Sequence, residues 1–325
     1  MIGVLLAQVG TPEAPTPRAV RRYLANFLSD RRVVDYPSWW WQPLLRGVIL
    51  PARSPKSARL YQRIWTTQGS PLLVESEKQR ALLQEKLGPS HRVVLGMAYA
   101  GPSFEAAIDD VVNAGATRIV VLPMFPQYSS ATTASVYEAA FAAATVKGST
   151  PRRFVPALHF IAPYPDHPGY IDALCARITN AIAAAQPDHL LLSFHGLPQR
   201  FVDECDPYEV ECRRTVTALA AAMGWSEADY TVSFQSRFGR EKWLEPATSD
   251  ILGGLHAKGV KRPLIVAPGF TTDCLETLDE LGNEGRDEFA HGGGDPASYS
   301  LCSCLNDHPM WIDTMAQLVR SATKP

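Results

Sequence analysis

The chain has 325 residues, 46% of them hydrophobic and 20% charged, with a formal net charge of −2. Such a composition excludes a disordered chain and leaves room for about two globular domains, each with a buried core. A charge so near zero gives no footprint for nucleic acid, and no apolar run reaches the roughly eighteen residues of a spanning helix.

In chain order, Met1-Ile2-Gly3-Val4-Leu5-Leu6 enters a strand at once, without the basic segment of a secretory leader. A cytoplasmic protein with reduced cysteines is therefore expected. The strand breaks at Val9-Gly10-Thr11-Pro12. Trp39-Trp40-Trp41 then opens an aromatic and apolar stretch punctuated by Pro37, Pro43 and Pro51. Residues 36–51 read either as an apolar lip that meets lipid or a flat ligand, or as core packing under a long loop. Further strand-sized runs, such as residues 119–125, alternate with alanine-rich helical stretches, the signature of βαβ units and a parallel sheet. The fold class is α/β.

The proline-rich segment Ala162-Pro163-Tyr164-Pro165-Asp166-His167-Pro168-Gly169 marks a domain boundary, giving domains at residues 1–160 and 161–325 with the last helix packing back on the first. Beyond it, Leu190-Leu191-Leu192-Ser193-Phe194-His195-Gly196-Leu197-Pro198 repeats the shape of residues 4–12, with the histidine in the second copy alone. Residues 118–123 are echoed in the same way by residues 262–268. The two halves thus read as duplicates, with their loops facing across a cleft. His195 stands where an apolar strand meets a Gly/Pro-broken loop, which is where ligands gather in open α/β sheets; the plainer alternative is a hydrogen-bonded core histidine.

After Pro268-Gly269, Glu276, Glu280 and Glu284 recur at i, i+4 and i+8, so an α-helix would carry three carboxylates in a row on one face. Like charges at that spacing repel, which suits a row that passes cations or protons; a solvated acidic face is the alternative. No G-x-G-x-x-G, G-x-x-x-x-G-K-[ST], H-E-x-x-H or G-x-S-x-G motif occurs, which removes the main support for nucleotide-dependent, zinc-protease and serine-hydrolase chemistry.

These blocks, taken in order, resemble the ferrochelatase family from end to end. The resemblance rests on Leu-Ala-Gln-Val-Gly-Thr-Pro at the start, Phe27-Leu28-Ser29-Asp30-Arg31-Arg32-Val33-Val34-Asp35, Arg53-Ser54-Pro55-Lys56, Gly69-Ser70-Pro71-Leu72 and Leu122-Pro123-Met124-Phe125-Pro126-Gln127-Tyr128-Ser129. It continues through Ser193-Phe194-His195-Gly196-Leu197-Pro198, Phe234-Gln235-Ser236-Arg237-Phe238-Gly239 and Asp273-Cys274-Leu275-Glu276-Thr277-Leu278. It implies two similar Rossmann-like, chelatase-type domains, each a parallel sheet flanked by helices, with a porphyrin cleft between them. It also implies insertion of Fe²⁺ into protoporphyrin IX to form protohaem, the last step of haem synthesis, by a lyase. The absence of the Gram-positive tyrosine at Val9 favours protoporphyrin over coproporphyrin, and Asp-Cys-Leu-Glu-Thr-Leu matches the proteobacterial branch.

Carried over by position, His195 and Glu276 are the expected catalytic and metal-binding pair, with Glu280 and Glu284 as an acidic relay. Arg53, Tyr61, Ser70 and Tyr128 fall at the porphyrin-binding positions, where propionates would want an Arg fork and hydroxyl donors. Fe²⁺ and protoporphyrin IX are then the substrates, and turnover requires no cofactor. Some family members carry a [2Fe–2S] cluster near the carboxyl end, which makes Cys175, Cys205, Cys302 and Cys304 candidate ligands, although a free buried Cys is also a common small hydrophobe. Cytoplasmic placement follows from the missing leader segment, and the lip adds the expectation of peripheral contact at the inner membrane face; the chain is expected as a monomer or a homodimer. Two rivals stand beside this reading: a haem-binding or delivery protein without turnover, and a chelatase for another metal or tetrapyrrole. A carrier needs an axial ligand but no acid row, and Glu276 beside His195 argues against it.

Overall fold

The computed structural model describes residues 1–323. Strand β1 (Ile2–Gln8) is buried along nearly its whole length, as expected of an apolar run without alternation inside a parallel sheet. It pairs in parallel with β2 (His91–Met97) on one side and β3 (Arg118–Pro123) on the other. A small antiparallel hairpin of β4 (Val146–Lys147) and β5 (Thr150–Pro151) precedes β6 (Ala157–Phe160), which adds in parallel to β3. The sheet order is β2-β1-β3-β6.

Parallel neighbours need long crossovers, and helices supply them. Pro17–Phe27, Leu50–Ile64 and Pro71–Leu87 lie between β1 and β2, and Phe104–Asn113 between β2 and β3. The first starts where Thr16 Oγ1 accepts from Ala19 N at 3.3 Å and Pro17 fills the first turn, a position that needs no N–H. Phe104 rests on Gly96 of β2, where a Cβ would collide with the ring. Leu5, Ile108, Val111, Ile119, Val121 and Val136 close the core of this half.

The second sheet contains β7 (His189–His195), β8 (Tyr230–Gln235), β9 (Pro263–Val266) and β10 (Ser300–Leu301), in the order β10-β9-β7-β8 and parallel throughout. Numbered within its own half, each sheet has its first strand inside, its second on one side, and its third and fourth on the other. The duplication read from residues 4–12 and 190–198 is thus a duplication of topology. Helices Tyr208–Met223 and Thr248–Leu255 form crossovers here, and Leu191, Leu252, Leu255, Ile265 and Phe289 are packed together in the core.

Two compact units result. One comprises Met1–Phe125, Ser129–Pro163 and the final helix from Ile312; the other comprises Pro126–Tyr128 and Tyr164–Trp311. The final helix, Pro309–Thr323, is tied to the helix Pro71–Leu87 by Arg320 Nη2, which donates to Lys86 O at 2.9 Å, and by an ion pair between Lys86 and Asp313.

Two expectations about local form are corrected. The segment around the Trp triplet is helical rather than a long loop: Ser38–Leu44, a π-helical turn Leu45–Ile49, then Leu50–Ile64. Pro51 is accommodated because it falls in the first turn of the last of these. Its tryptophans also divide: Trp41 is 8% exposed and its Nε1 donates to Leu28 O at 2.7 Å, whereas Trp39 is 82% exposed. The acidic row is the second correction, since Glu276–Glu284 is a π-helix and not an α-helix. Among the described residues, no helix is long and apolar enough to cross a membrane.

Candidate active site

His195 is the last residue of β7 and is half-buried at its carboxyl end. The next residue must be glycine. Gly196 N donates to Gln235 O at 2.7 Å, and a Cβ on residue 196 would lie 2.5 Å from that same oxygen. This close approach binds the ends of β7 and β8 together and fixes the base of the imidazole. His195 Nδ1 lies 2.6 Å from Gly196 O. A carbonyl oxygen only accepts, so Nδ1 carries a proton, and in the neutral imidazole it is Nε2 whose lone pair can take a proton or bind a metal.

The π-helix brings two carboxylates to this point. Glu276 and Glu280 are half-buried and Glu284 is exposed, so the row leads from the interior to the surface. Ser236 N and Ser236 Oγ each donate to the Glu280 carboxylate at 2.6 Å, one to each oxygen. Gln235 Nε2 donates to Glu276 O at 2.9 Å and reaches Glu280 Oε2 at 3.3 Å. Burial pushes the Glu280 carboxyl above its ordinary value; the Ser236 bonds, and His195 when its ring is protonated, act against that rise, while the Glu276 charge adds to it. His195, Glu276 and Glu280 therefore form one electrostatic group. π-Helical segments are rare and cluster at functional sites, because the wider turn rearranges side chains locally.

Behind this group lies a buried hydroxyl network. Ser193 Oγ donates to Gln235 Oε1 at 3.0 Å and is 2.8 Å from Thr248 Oγ1, which is itself 2.9 Å from Ser233 Oγ. The network orients the Gln235 amide, which in turn holds the π-helix. Cys274 is buried, and its thiol is pushed well above the ordinary value by burial, then by the Glu276 charge. It stays a thiol.

The other expected residues stand on other elements. Arg53 and Tyr61 belong to one helix, Leu50–Ile64, where Arg53 is half-buried and Tyr61 buried, its ring edge-on to Trp65 at 6.3 Å. Ser70 precedes the helix Pro71–Leu87 and is buried, with Oγ 2.7 Å from Thr11 Oγ1. Tyr128 is half-buried, and its backbone N donates to Glu211 Oε2 at 2.5 Å; burial raises the Glu211 carboxyl. Cys302 and Cys304 are buried, Cys175 is half-buried on the helix Pro168–Ala185, and Cys205 is exposed. Among the described residues no group of three or more His, Cys, Asp or Glu side chains is spaced to hold a metal ion.

Sequence reasoning assigned no role to Gln235, Ser236 or Thr11. Gln235 and Ser236 stand in the block Phe234-Gln235-Ser236-Arg237, so the block was visible; its partners 41 to 45 residues away were not. Ser236 has φ +63, a left-handed backbone that a serine adopts only under constraint.

Comparison with known proteins accords with this arrangement. The sequence profile of the ferrochelatase family matches residues 1–323. A ferrochelatase of Pectobacterium atrosepticum is 49% identical over 318 residues, covering 98% of this chain and 97% of the relative. A ferrochelatase of Edwardsiella ictaluri is 50% identical over 318 residues with the same coverage. Among solved structures, SirB from Bacillus subtilis with Fe³⁺ superposes with a TM-score of 0.55 at 14% identity, over 99% of this chain and 95% of that one. At that identity the likeness speaks for the fold alone: two Rossmann-like domains of the chelatase type.

Proposed function

The chain belongs to the ferrochelatase family, and from that premise we propose that His195, Glu276 and Glu280 form the centre at which Fe²⁺ enters the porphyrin. The protein is a metal chelatase of the lyase class that inserts Fe²⁺ into protoporphyrin in haem synthesis. The observation that supports the assignment of the centre is the imidazole of His195, held through Nδ1 by Gly196 O, in electrostatic reach of the Glu280 carboxylate on the π-helix that begins at Glu276.

Metallation must remove two weakly acidic pyrrole protons and strip water from Fe²⁺. The Nε2 lone pair of a neutral His195 can accept a proton in the first task and ligate the metal in the second. The carboxylate of Glu276 attracts the cation, and Glu280 and Glu284 carry charge between the half-buried centre and the surface. Arg53, Tyr61, Ser70 and Tyr128 hold the porphyrin, with Arg53 on a propionate. Fe²⁺ and the porphyrin are both substrates of this route, which requires no cofactor for turnover. The exposed Trp39 on its helix supports peripheral contact with the inner membrane face, because an indole so bare is costly in water and at home in an interface.

Anaerobic incubation of the purified protein with Fe²⁺ and protoporphyrin IX, followed by absorbance, tests the assignment. The haem spectrum is expected with the native chain and not with His195→Ala. Equal rates for the two would remove His195 from the centre.

A further inference from the structure

Glu276 is the first residue of the π-helix, and its position depends on where the preceding loop from β9 ends. That loop is held by a segment more than thirty residues later in the chain. Asn306 follows β10 with φ +46, a left-handed conformation that asparagine tolerates better than most residues. Its own N donates to Thr271 O at 3.0 Å. Its side chain engages Asp273 at both ends: Oδ1 accepts from Asp273 N at 2.9 Å, and Nδ2 donates to Asp273 Oδ2 at 2.7 Å. One partner is a donor and the other an acceptor, so the orientation of the amide is determined by its surroundings.

Asp273 passes the constraint on. Its Oδ1 accepts from Cys304 N at 3.2 Å and from Thr277 Oγ1 at 3.1 Å. Thr277 Oγ1 in turn accepts from Cys274 N at 3.0 Å. The buried Asp273 carboxylate thus ties Asn306, the strand-following Cys304 and the first turn of the π-helix into one unit, and Glu276 lies between Cys274 and Thr277, the two residues held by these bonds.

We propose that Asn306 is a positioning residue for metal insertion, setting the Glu276 carboxylate through Asp273 without touching either substrate. This rests on the assignment of Glu276 to the reaction centre. Only asparagine meets all three demands at this position: a left-handed backbone, an acceptor for Asp273 N, and a donor for the Asp273 carboxylate. Aspartate keeps the first two but sets one carboxylate against another.

A reciprocal exchange tests the proposal. In Asn306→Asp the donor is lost, and the haem-forming kcat is expected to fall by about tenfold or more, the effect of a lost bond to a charged group, while porphyrin affinity measured by fluorescence quenching stays within about twofold. Asp273→Asn should act in the same way. The double variant Asp273→Asn with Asn306→Asp restores every bond with donor and acceptor exchanged, since the amide introduced at position 273 still offers its oxygen to Cys304 N and Thr277 Oγ1. Its kcat is expected within about threefold of the native value. A folded Asn306→Asp with native kcat overturns the proposal, as does a folded double variant no faster than the single ones. Should Asn306→Asp fail to accumulate as folded protein, Asn306→Gly keeps the left-handed backbone and takes its place: a tenfold lower kcat at native affinity supports the role, and a native kcat overturns it. Glu276→Gln run in parallel separates the two levels of inference. If it keeps native kcat, the assignment of Glu276 fails; if it loses turnover while Asn306→Asp does not, only the role of Asn306 fails.

Discussion

The two units share a strand order and a punctuation of the chain but differ in what stands at the punctuation. At the end of β1 the chain reads Val9-Gly10-Thr11-Pro12, and at the end of β7 it reads His195-Gly196-Leu197-Pro198. Gly10 takes φ +111, whereas Gly196 is needed for its contact with Gln235 O. In the first unit a hydroxyl pair, Thr11 and Ser70, occupies the neighbourhood; in the second an imidazole faces carboxylates. The parallel extends to the third strand. β3 leads to a π-helical turn, Ser130–Ala134, and β9 leads to the π-helix Glu276–Glu284. One is built of serine, alanine and threonine, the other begins and ends with glutamate. A π-helical segment after the third strand therefore belongs to the scaffold, and the acidic side chains on it are particular to the second unit.

That contrast can be broken most severely at His195. His195→Ala removes the imidazole while retaining the strand, and haem formation is expected to fall by at least about a hundredfold, the range for a lost general base. A variant within a few-fold of native would show that the chemistry does not depend on the residue that distinguishes β7 from β1.

Glu280 sharpens the contrast through pH. Burial raises its folded pKa above the ordinary glutamate value, so it gains a proton before an exposed carboxylate would as pH falls. Activity should accordingly decline on the acid side at a pH above the usual carboxylate range, and Glu280→Gln should give a low rate without that decline. Stability runs in the opposite sense. A raised carboxyl pKa favours folding below the unfolded value and loses that contribution as pH rises through the folded value, so Glu280→Gln should be the more stable protein at neutral pH. Thermal melts and rate profiles from acid to neutral pH on both proteins check the two signs together.

In the first unit the expected effects are smaller and concern binding. Arg53→Ala should weaken porphyrin binding by about 1–3 kcal/mol, as for a lost charge-assisted bond, with the metal dependence of the rate unchanged. An unaltered KM for porphyrin would remove Arg53 from that role. Smallest of all, Thr11→Val leaves the buried Ser70 hydroxyl without its partner at a cost of about 1 kcal/mol, read as a melting temperature lower by roughly 2–4 °C. A melt indistinguishable from native would mean the pair adds nothing to the fold.

The class and the duplication were legible because they depend on local signals. Unalternating apolar runs, the Gly-x-Pro breaks and the alanine-rich stretches announced a parallel sheet, and the position of His195 followed from the end of its strand. The form of the acidic helix was not legible, since Glu276, Glu280 and Glu284 have the same spacing whether the turn is α or π. Gln235 and Asn306 were silent for another reason: each acts through hydrogen bonds to residues more than thirty positions away, and periodicity records nothing of such distances. The Trp triplet admitted both a lip and a core reading because three identical neighbours on a helix point in three directions, so one is buried while another is exposed. As for the cysteines, a count of four thiols carries no information on whether the fold gathers them.

Ser236 gives the site one further property. Its left-handed backbone costs about 1–2 kcal/mol and is offset by the two bonds it makes to the Glu280 carboxylate. When Glu280 takes up a proton those bonds weaken, since a neutral carboxyl is a poorer acceptor, but the cost of the conformation is unchanged. The loop after β8 then behaves like a spring whose catch is a single negative charge. The amide exchange rate at Ser236 is therefore expected to rise as Glu280 takes up its proton.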